Sequence, residues 1–159
     1  MSPIDWAMLP LSKYADFSGR APRAEYWWFY LLYVVIYTVA SIIGSLIGLT
    51  TILRGLVVLA LFVPLLAAGV RRLHDGDRSG WWMLGPLIPL TIGLVLAGPA
   101  VMAGGMGAAL GVAGLFMVAG AIVGVVIFVF LVLPGTTGAN RFGGDPYGAD
   151  AGGDVLTPA

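Results

Sequence analysis

Cysteine is absent from this chain of 159 residues, so disulfides, thiol nucleophiles and thiolate metal sites are all excluded. Histidine occurs once, as His74, which disfavours a catalytic zinc, because such sites take three protein ligands and most often more than one imidazole. Charge is scarce as well: Asp, Glu, Lys and Arg make up 10% of the residues, where a soluble domain carries about 25%. Between Arg78 and Arg141 there is no ionisable Asp, Glu, Lys, Arg or His at all. A hydrocarbon core about 30 Å thick takes roughly 20 apolar residues per helical crossing, so this one run holds two spans and the turn between them. Also missing are a Gly-x-Ser-x-Gly nucleophile pattern and any phosphate or dinucleotide loop in its strand-turn-helix setting. No cleavable leader is expected, because residues 1–25 carry both signs of charge and the first apolar run is too long for a signal peptide.

What is present is apolar surface, 59% of the residues. Tyr26 to Leu53 and Gly55 to Val70 are two further uncharged runs separated by Arg54, each long enough for one span. The expectation is an all-α integral membrane domain over residues 1–146, a four-transmembrane-helix bundle with spans at about 27–49, 51–70, 81–98 and 112–133. Residues 1–17 mix Ile4, Trp6, Leu9, Tyr14 and Phe17 with Asp5, Lys13 and Asp16, the composition of a short interfacial segment. Residues 147–159, rich in Gly and Asp, read as a disordered tail.

The distribution of charge orients these spans. Lys13, Arg20, Arg23, Arg71, Arg72, Arg78 and Arg141 fall on one side of the membrane, and Arg54 alone falls on the other. The positive-inside bias therefore places both termini in the cytoplasm. The acids gather on that same side, and eight of each sign give a formal net charge of zero. Neither nucleic acid nor a polybasic attraction to anionic lipid is expected; paired charges are. Arginine in place of lysine favours fixed bidentate partners. The expected polar platform comprises Arg20, Arg23, Glu25, Arg71, Arg72, His74, Asp75, Arg78, Asn140, Arg141 and Asp145. Glu25, in the first turn of a helix, has Arg71, Arg72 and Arg141 as candidate partners.

Along the first span Tyr26, Tyr30, Tyr33, Tyr37, Ser41, Gly44 and Gly48 recur at steps of three and four, a face suited to a neighbouring helix rather than to lipid. Gly120-x-x-x-Gly124 permits close approach of backbones, through packing inside the chain or in a homo-oligomer. No ionisable group falls in the middle of a span, which disfavours proton-coupled carriers and pumps. His74 with Asp75 and Asp77 offers imidazole and carboxylate ligands, but the tight charged turn they form needs no metal, and no cofactor is assigned.

Three segments carry a family resemblance. They are Phe-Ser-Gly-Arg-Ala-Pro-Arg-Ala-Glu-Tyr-Trp from Phe17, Arg-Arg-Leu-His-Asp-Gly-Asp-Arg-Ser-Gly-Trp-Trp from Arg71, and Pro-Gly-Thr-Thr-Gly-Ala-Asn-Arg-Phe-Gly-Gly-Asp-Pro from Pro134. Together they resemble the signature blocks of the bacterial inner-membrane family catalogued as domain of unknown function 805. That resemblance implies a small polytopic protein of the bacterial inner, or plasma, membrane and brings no activity, substrate or catalytic residue. The leading expectation is a non-enzymatic scaffold or binding module that holds a membrane-protein partner or a lipid headgroup at the platform. A small transporter or channel is one alternative, and a membrane enzyme acting on a lipid or isoprenoid phosphate at His74 and Asp75 is another.

Overall fold

The computed structural model describes residues 1–148, and its regular elements there are helical. In order they are α1 (Pro3–Ser12), α2 (Arg23–Ile47), α3 (Thr50–Asp75), a 3-10 turn (Gly80–Leu84), α4 (Leu87–Met102) and α5 (Met106–Val132). Four helical segments are long and apolar enough to cross a membrane: α2, α3, Gly80–Met102 and α5. The chain divides into two compact units, one of residues 1–80 with the segment from Pro134 onward, the other Trp81–Leu133. The tail expected to be disordered lies, from residue 149, outside the described residues.

In the first unit α1 starts where Ser2 and Asp5 satisfy each other. Asp5 N–H donates to Ser2 Oγ at 3.2 Å and Ser2 N–H to Asp5 Oδ2 at 2.7 Å, a capping box with Pro3 placed where a missing N–H costs nothing. α1 lies along the first half of α2, where Ile4, Ala7 and Met8 line a groove with Trp28, Leu31 and Val35. The chain then turns, and Pro22 precedes the first residue of α2 with Glu25 in its opening turn, where the helix dipole favours an anion.

α2 and α3 form a hairpin across a minimal turn. Gly48 takes a left-handed φ of 73°, the conformation that closes a helix and that glycine adopts without strain. The N–H of Leu49 donates to the carbonyl of Gly44 at 2.8 Å. Gly44 is also a point of backbone contact: a Cβ there would lie 2.6 Å from Thr50 Cα. Farther along α3 the buried positions before Arg71 are Pro64, Ala67, Ala68 and Gly69, compact residues that let helices approach where lipid provides no hydrophobic drive.

Pro64 sits inside α3 and has no N–H to give the carbonyl of Ala60, one turn earlier. In hydrocarbon that vacant acceptor would cost several kcal/mol. Tyr14, from the segment after α1, fills it: its hydroxyl donates to Ala60 O at 2.7 Å. Pro64 thus creates the anchor point for the N-terminal segment.

The second unit is a hairpin of α4 and α5, closed by a turn at Ala103–Gly105 in which Gly104 takes a φ of 77°. Much of the stretch from Pro99 to Gly111, which lies between the expected spans of 81–98 and 112–133, is helical up to that turn and after it. Gly93 faces Phe116, and Gly120 faces Pro86 O and Leu90, each within 3.4 Å of where a Cβ would stand. Gly120 is therefore occupied inside its own hairpin, while Gly124 has open space around it.

Replacing Gly44 by alanine is expected to destabilise the first unit by about 1–3 kcal/mol, because the atom it meets is backbone and cannot rotate away. Gly55, with nothing within 4 Å of its Cβ position, is the control, and Gly55→Ala should be neutral or gain up to about 1 kcal/mol. Unfolding in detergent measures both, and equal tolerance of the two changes would contradict the close approach.

Candidate functional site

Two carboxylates organise the end of the first unit where α2 begins and α3 ends. Asp75, the last residue of α3, is 0% exposed and Glu25, in the first turn of α2, is 2% exposed. The geometry of α3 supplies their cations, since Arg71 and Arg72 precede Asp75 by four and three residues and so lie on its side of the helix. Arg71 Nη2 donates to Glu25 Oε1 at 2.6 Å, and its Nη1 donates to the main-chain carbonyl of Asp16. Arg72 Nη1 donates to Asp75 Oδ2.

Arg20 reaches the same carboxylate from the segment before α2, donating from Nε to Asp75 Oδ1 at 3.0 Å, with Nη2 2.9 Å from that oxygen. The far side of its guanidinium donates to the carbonyls of Gly138 and Thr136, each at 2.6 Å. The main chain of Asp75 completes the junction by accepting from Thr136 N–H at 2.8 Å and from Thr136 Oγ1 at 3.2 Å. Ala21 N–H donates to Arg71 O at 3.0 Å. A Cβ on Gly135 would run into the Asp75 carboxylate, so glycine is required there by space.

Three buried guanidiniums face two buried carboxylates, an excess of one positive charge. The electronegative C-terminal end of α3 and the carbonyls of Asp16, Thr136 and Gly138 offset it. Among the described residues Arg71 Nε is the buried side-chain nitrogen left without a partner. Burying such ions carries a desolvation cost of several kcal/mol each, and removing one partner of a satisfied pair costs about 3–5 kcal/mol.

A second ring of contacts surrounds this core. The half-buried His74 has Nδ1 3.2 Å from Gly19 O, and its imidazole stacks on Phe142 with centroids 3.8 Å apart and planes 3° from parallel. Asn140 Nδ2 donates to His74 O and to Thr136 Oγ1, both at 2.9 Å. Arg141 pairs with Asp77 at 3.1 Å, but the two side chains are 60% and 47% exposed, so the pair is worth about 0–1 kcal/mol. Its guanidinium also lies 4.7 Å from the Phe142 ring centroid. Asp145 accepts from Gly138 N–H at 2.8 Å and Tyr147 N–H at 2.9 Å. Those two bonds, Tyr147's first, hold its carboxyl below the usual value of 3.8. Arg78 donates from Nη1 to Gly76 O at 3.1 Å.

Of the residues expected at the platform, Arg20, Glu25, Arg71, Arg72 and Asp75 form the buried core, with His74, Asn140 and Asp145 beside it. Arg23 has an exposed side chain. Glu25 pairs with Arg71, whereas Arg72 serves Asp75 and Arg141 serves Asp77. Sequence reasoning missed Gly138, which acts through main-chain atoms and carries no side-chain signal, and Thr136, whose carbonyl and N–H do most of the bonding with its hydroxyl added. It also missed Tyr147, assigned to the tail, whose hydroxyl accepts from Arg23 N–H at 2.8 Å. An aromatic residue directly after Asp145-Pro146 was the available clue. Among the described residues no group of three His, Cys, Asp or Glu side chains is placed to hold a metal ion.

The three segments that meet here lie within or at the edge of residues 14–144, which match the family model described as protein of unknown function DUF805. The chain belongs to this family. It is 35% identical over 144 residues to the inner membrane protein YhaI of Escherichia coli strain K12, a match covering 90% of this chain and 96% of that protein. It is 33% identical over 151 residues to the inner membrane protein YhaH of the same strain, covering 90% and 97%. No solved structure matches the chain.

Glu25→Gln and Arg71→Gln should each lower stability in detergent by about 3–5 kcal/mol, and the double variant should lose clearly less than the sum. Glu25→Gln combined with Arg141→Gln should be additive within about 0.5 kcal/mol, because the second residue belongs to a different, exposed pair. Additivity in both cycles would dissolve the Glu25–Arg71 pair. The bonds of Asp145 predict an acid response: a carboxyl whose folded value is depressed stabilises the fold above its unfolded value of about 3.8 and loses that contribution as pH falls through the lower folded value. Amide protection of residues 138–147, measured against the intrinsic exchange rate at the same pH, should therefore fall below about pH 4 in the native chain and be already low at neutral pH in Asp145→Asn.

Proposed function

We propose that the chain is a non-enzymatic scaffold of the bacterial inner membrane, whose platform faces the cytoplasm and offers a fixed surface to a membrane-protein partner. The observation that carries this reading is the use to which the cluster's reactive side chains are put. Glu25 and Asp75 are each held by buried guanidiniums, and His74 is stacked and bonded to a carbonyl. Groups that an enzyme would expose to substrate here tie together the lead into α2, the end of α3 and the segment after α5. The product is a stiff surface assembled from three distant stretches of chain, with Arg23, Arg141 and Tyr147 exposed upon it. A lipid-phosphate enzyme reading is weakened by the same fact, since Asp75 has no exposed surface to offer a phosphate.

Seven of the eight basic residues share the platform's side, which supports the cytoplasmic orientation, and the likeness to the inner membrane proteins YhaI and YhaH supports the inner membrane. The lack of cysteine allows a direct test by single-cysteine labelling. Ala103→Cys should react with an impermeant maleimide in intact cells, and Ala139→Cys only after permeabilisation. In the same cells a photo-crosslinking residue at position 23 or 141 should give one discrete protein adduct, lost in Asp75→Asn although that variant still inserts. Labelling of Ala139→Cys from outside, or adducts to lipid alone, would overturn the reading.

A further inference from the structure

We propose a second site at the opposite end of the α2–α3 hairpin, where Arg54 binds the phosphate of a membrane glycerophospholipid. Arg54 precedes Arg71 by seventeen residues on α3, a rise of about 26 Å. That nearly equals the roughly 30 Å hydrocarbon thickness, so with Arg71 at one headgroup layer Arg54 stands at the other. Among the described residues no carboxylate pairs with it. A cation at this depth seeks an anion or water, and the phosphate layer provides the first.

The guanidinium is already oriented for that anion. Ser41 Oγ donates its one proton to Tyr37 O at 2.6 Å, which leaves a lone pair to accept from Arg54 Nε at 2.8 Å. Tyr37 supplies a ring 5.7 Å from Arg54 Cζ, a cation–π contact that settles the plane of the fork. With Nε and one face engaged, the edge bearing Nη1 and Nη2 remains, two parallel donors at the spacing of two phosphate oxygens. Arg54 lines a groove of about 430 Å³ with Tyr37, Thr38, Ser41, Ile42 and Ser45. The Thr38 hydroxyl has no partner among the described residues and is a further donor on the same groove.

The occupant is a lipid rather than a free anion because apolar surface adjoins the cation. Ile42 lines the same groove as Arg54 and is 56% exposed, so an acyl chain can lie against apolar surface beside the seat for its phosphate. The site is independent of the platform in sequence position and membrane face.

Full-length protein purified in an uncharged detergent, titrated with phosphatidylglycerol and read by native mass spectrometry, tests the site. Arg54→Gln should weaken phosphatidylglycerol retention about tenfold, the effect of losing one charge-assisted contact. Ser41→Ala, which frees the fork to rotate, should weaken it by a smaller factor, and Arg54→Lys should fall between Arg54→Gln and the native chain. Matching circular dichroism and elution profiles verify that the variants fold. Diacylglycerol, which lacks the phosphate, should not compete. Equal retention by Arg54→Gln and the native chain, or competition by diacylglycerol as strong as that by phosphatidylglycerol, overturns the proposal. Displacement by inorganic phosphate at lipid-like concentration overturns the lipid assignment in favour of a free anion.

Discussion

A carboxylate with no exposed surface must be neutralised by something that cannot leave, and Asp75 meets that condition with two guanidiniums from different parts of the chain. Arg72 comes from its own helix and would be there whatever the rest of the protein did. Arg20 comes from before α2, and it is fixed only because its outer nitrogens donate to Thr136 and Gly138 in the segment after α5. The junction thus has no independent halves: the guanidinium needs the carbonyls to be satisfied, and the buried Asp75 needs the guanidinium to offset its desolvation. Gly135 belongs to the same constraint, since any side chain there would occupy the carboxylate's place.

The membrane imposes the complementary constraint on the helices. With no water in the hydrocarbon, each main-chain carbonyl released by a proline has to find a donor within the protein. Pro64 releases Ala60 O and Tyr14 supplies the donor, so a helix-breaking residue in α3 becomes the reason the N-terminal segment docks where it does. Packing in each hairpin depends on small residues at particular heights, Gly44 against Thr50 in one and Gly93 and Gly120 against α5 and α4 in the other. These contacts replace the hydrophobic drive that lipid cannot provide.

Polar groups are placed according to depth. The buried cluster lies at one end of the α2–α3 hairpin and Arg54 at the other, and between them Tyr30, Tyr33 and Tyr37 form a run of ring contacts at 6.4 and 5.9 Å. The relatives YhaI and YhaH are inner membrane proteins, and the family match from Tyr14 to Gly144 brackets the Tyr14 anchor, the Asp75 junction and most of the docked third segment. A family boundary that coincides with these contacts is understandable if the junction is what the fold is built to maintain.

The four spanning helices were legible without coordinates because hydrocarbon thickness converts directly into a length of uncharged chain, and charge absence is visible in the residues themselves. The segments bearing the platform were legible for a related reason, since scarce charges stand out in an apolar chain and must gather where water or partners are. Which charge meets which was not: Glu25 had three arginines within reach by topology, and the choice of Arg71 depends on the rotation of α3 about its axis. Nor were Tyr14 on Ala60, Tyr147 on Arg23 or the carbonyls that hold Arg20, because main-chain donors and acceptors are the same at every residue. Sequence by itself determined the solvent, the number of crossings and the inventory of ions; tertiary structure alone decided their pairing, because a buried ion pair depends on ångström-scale geometry set by helix packing, to which composition and spacing are blind.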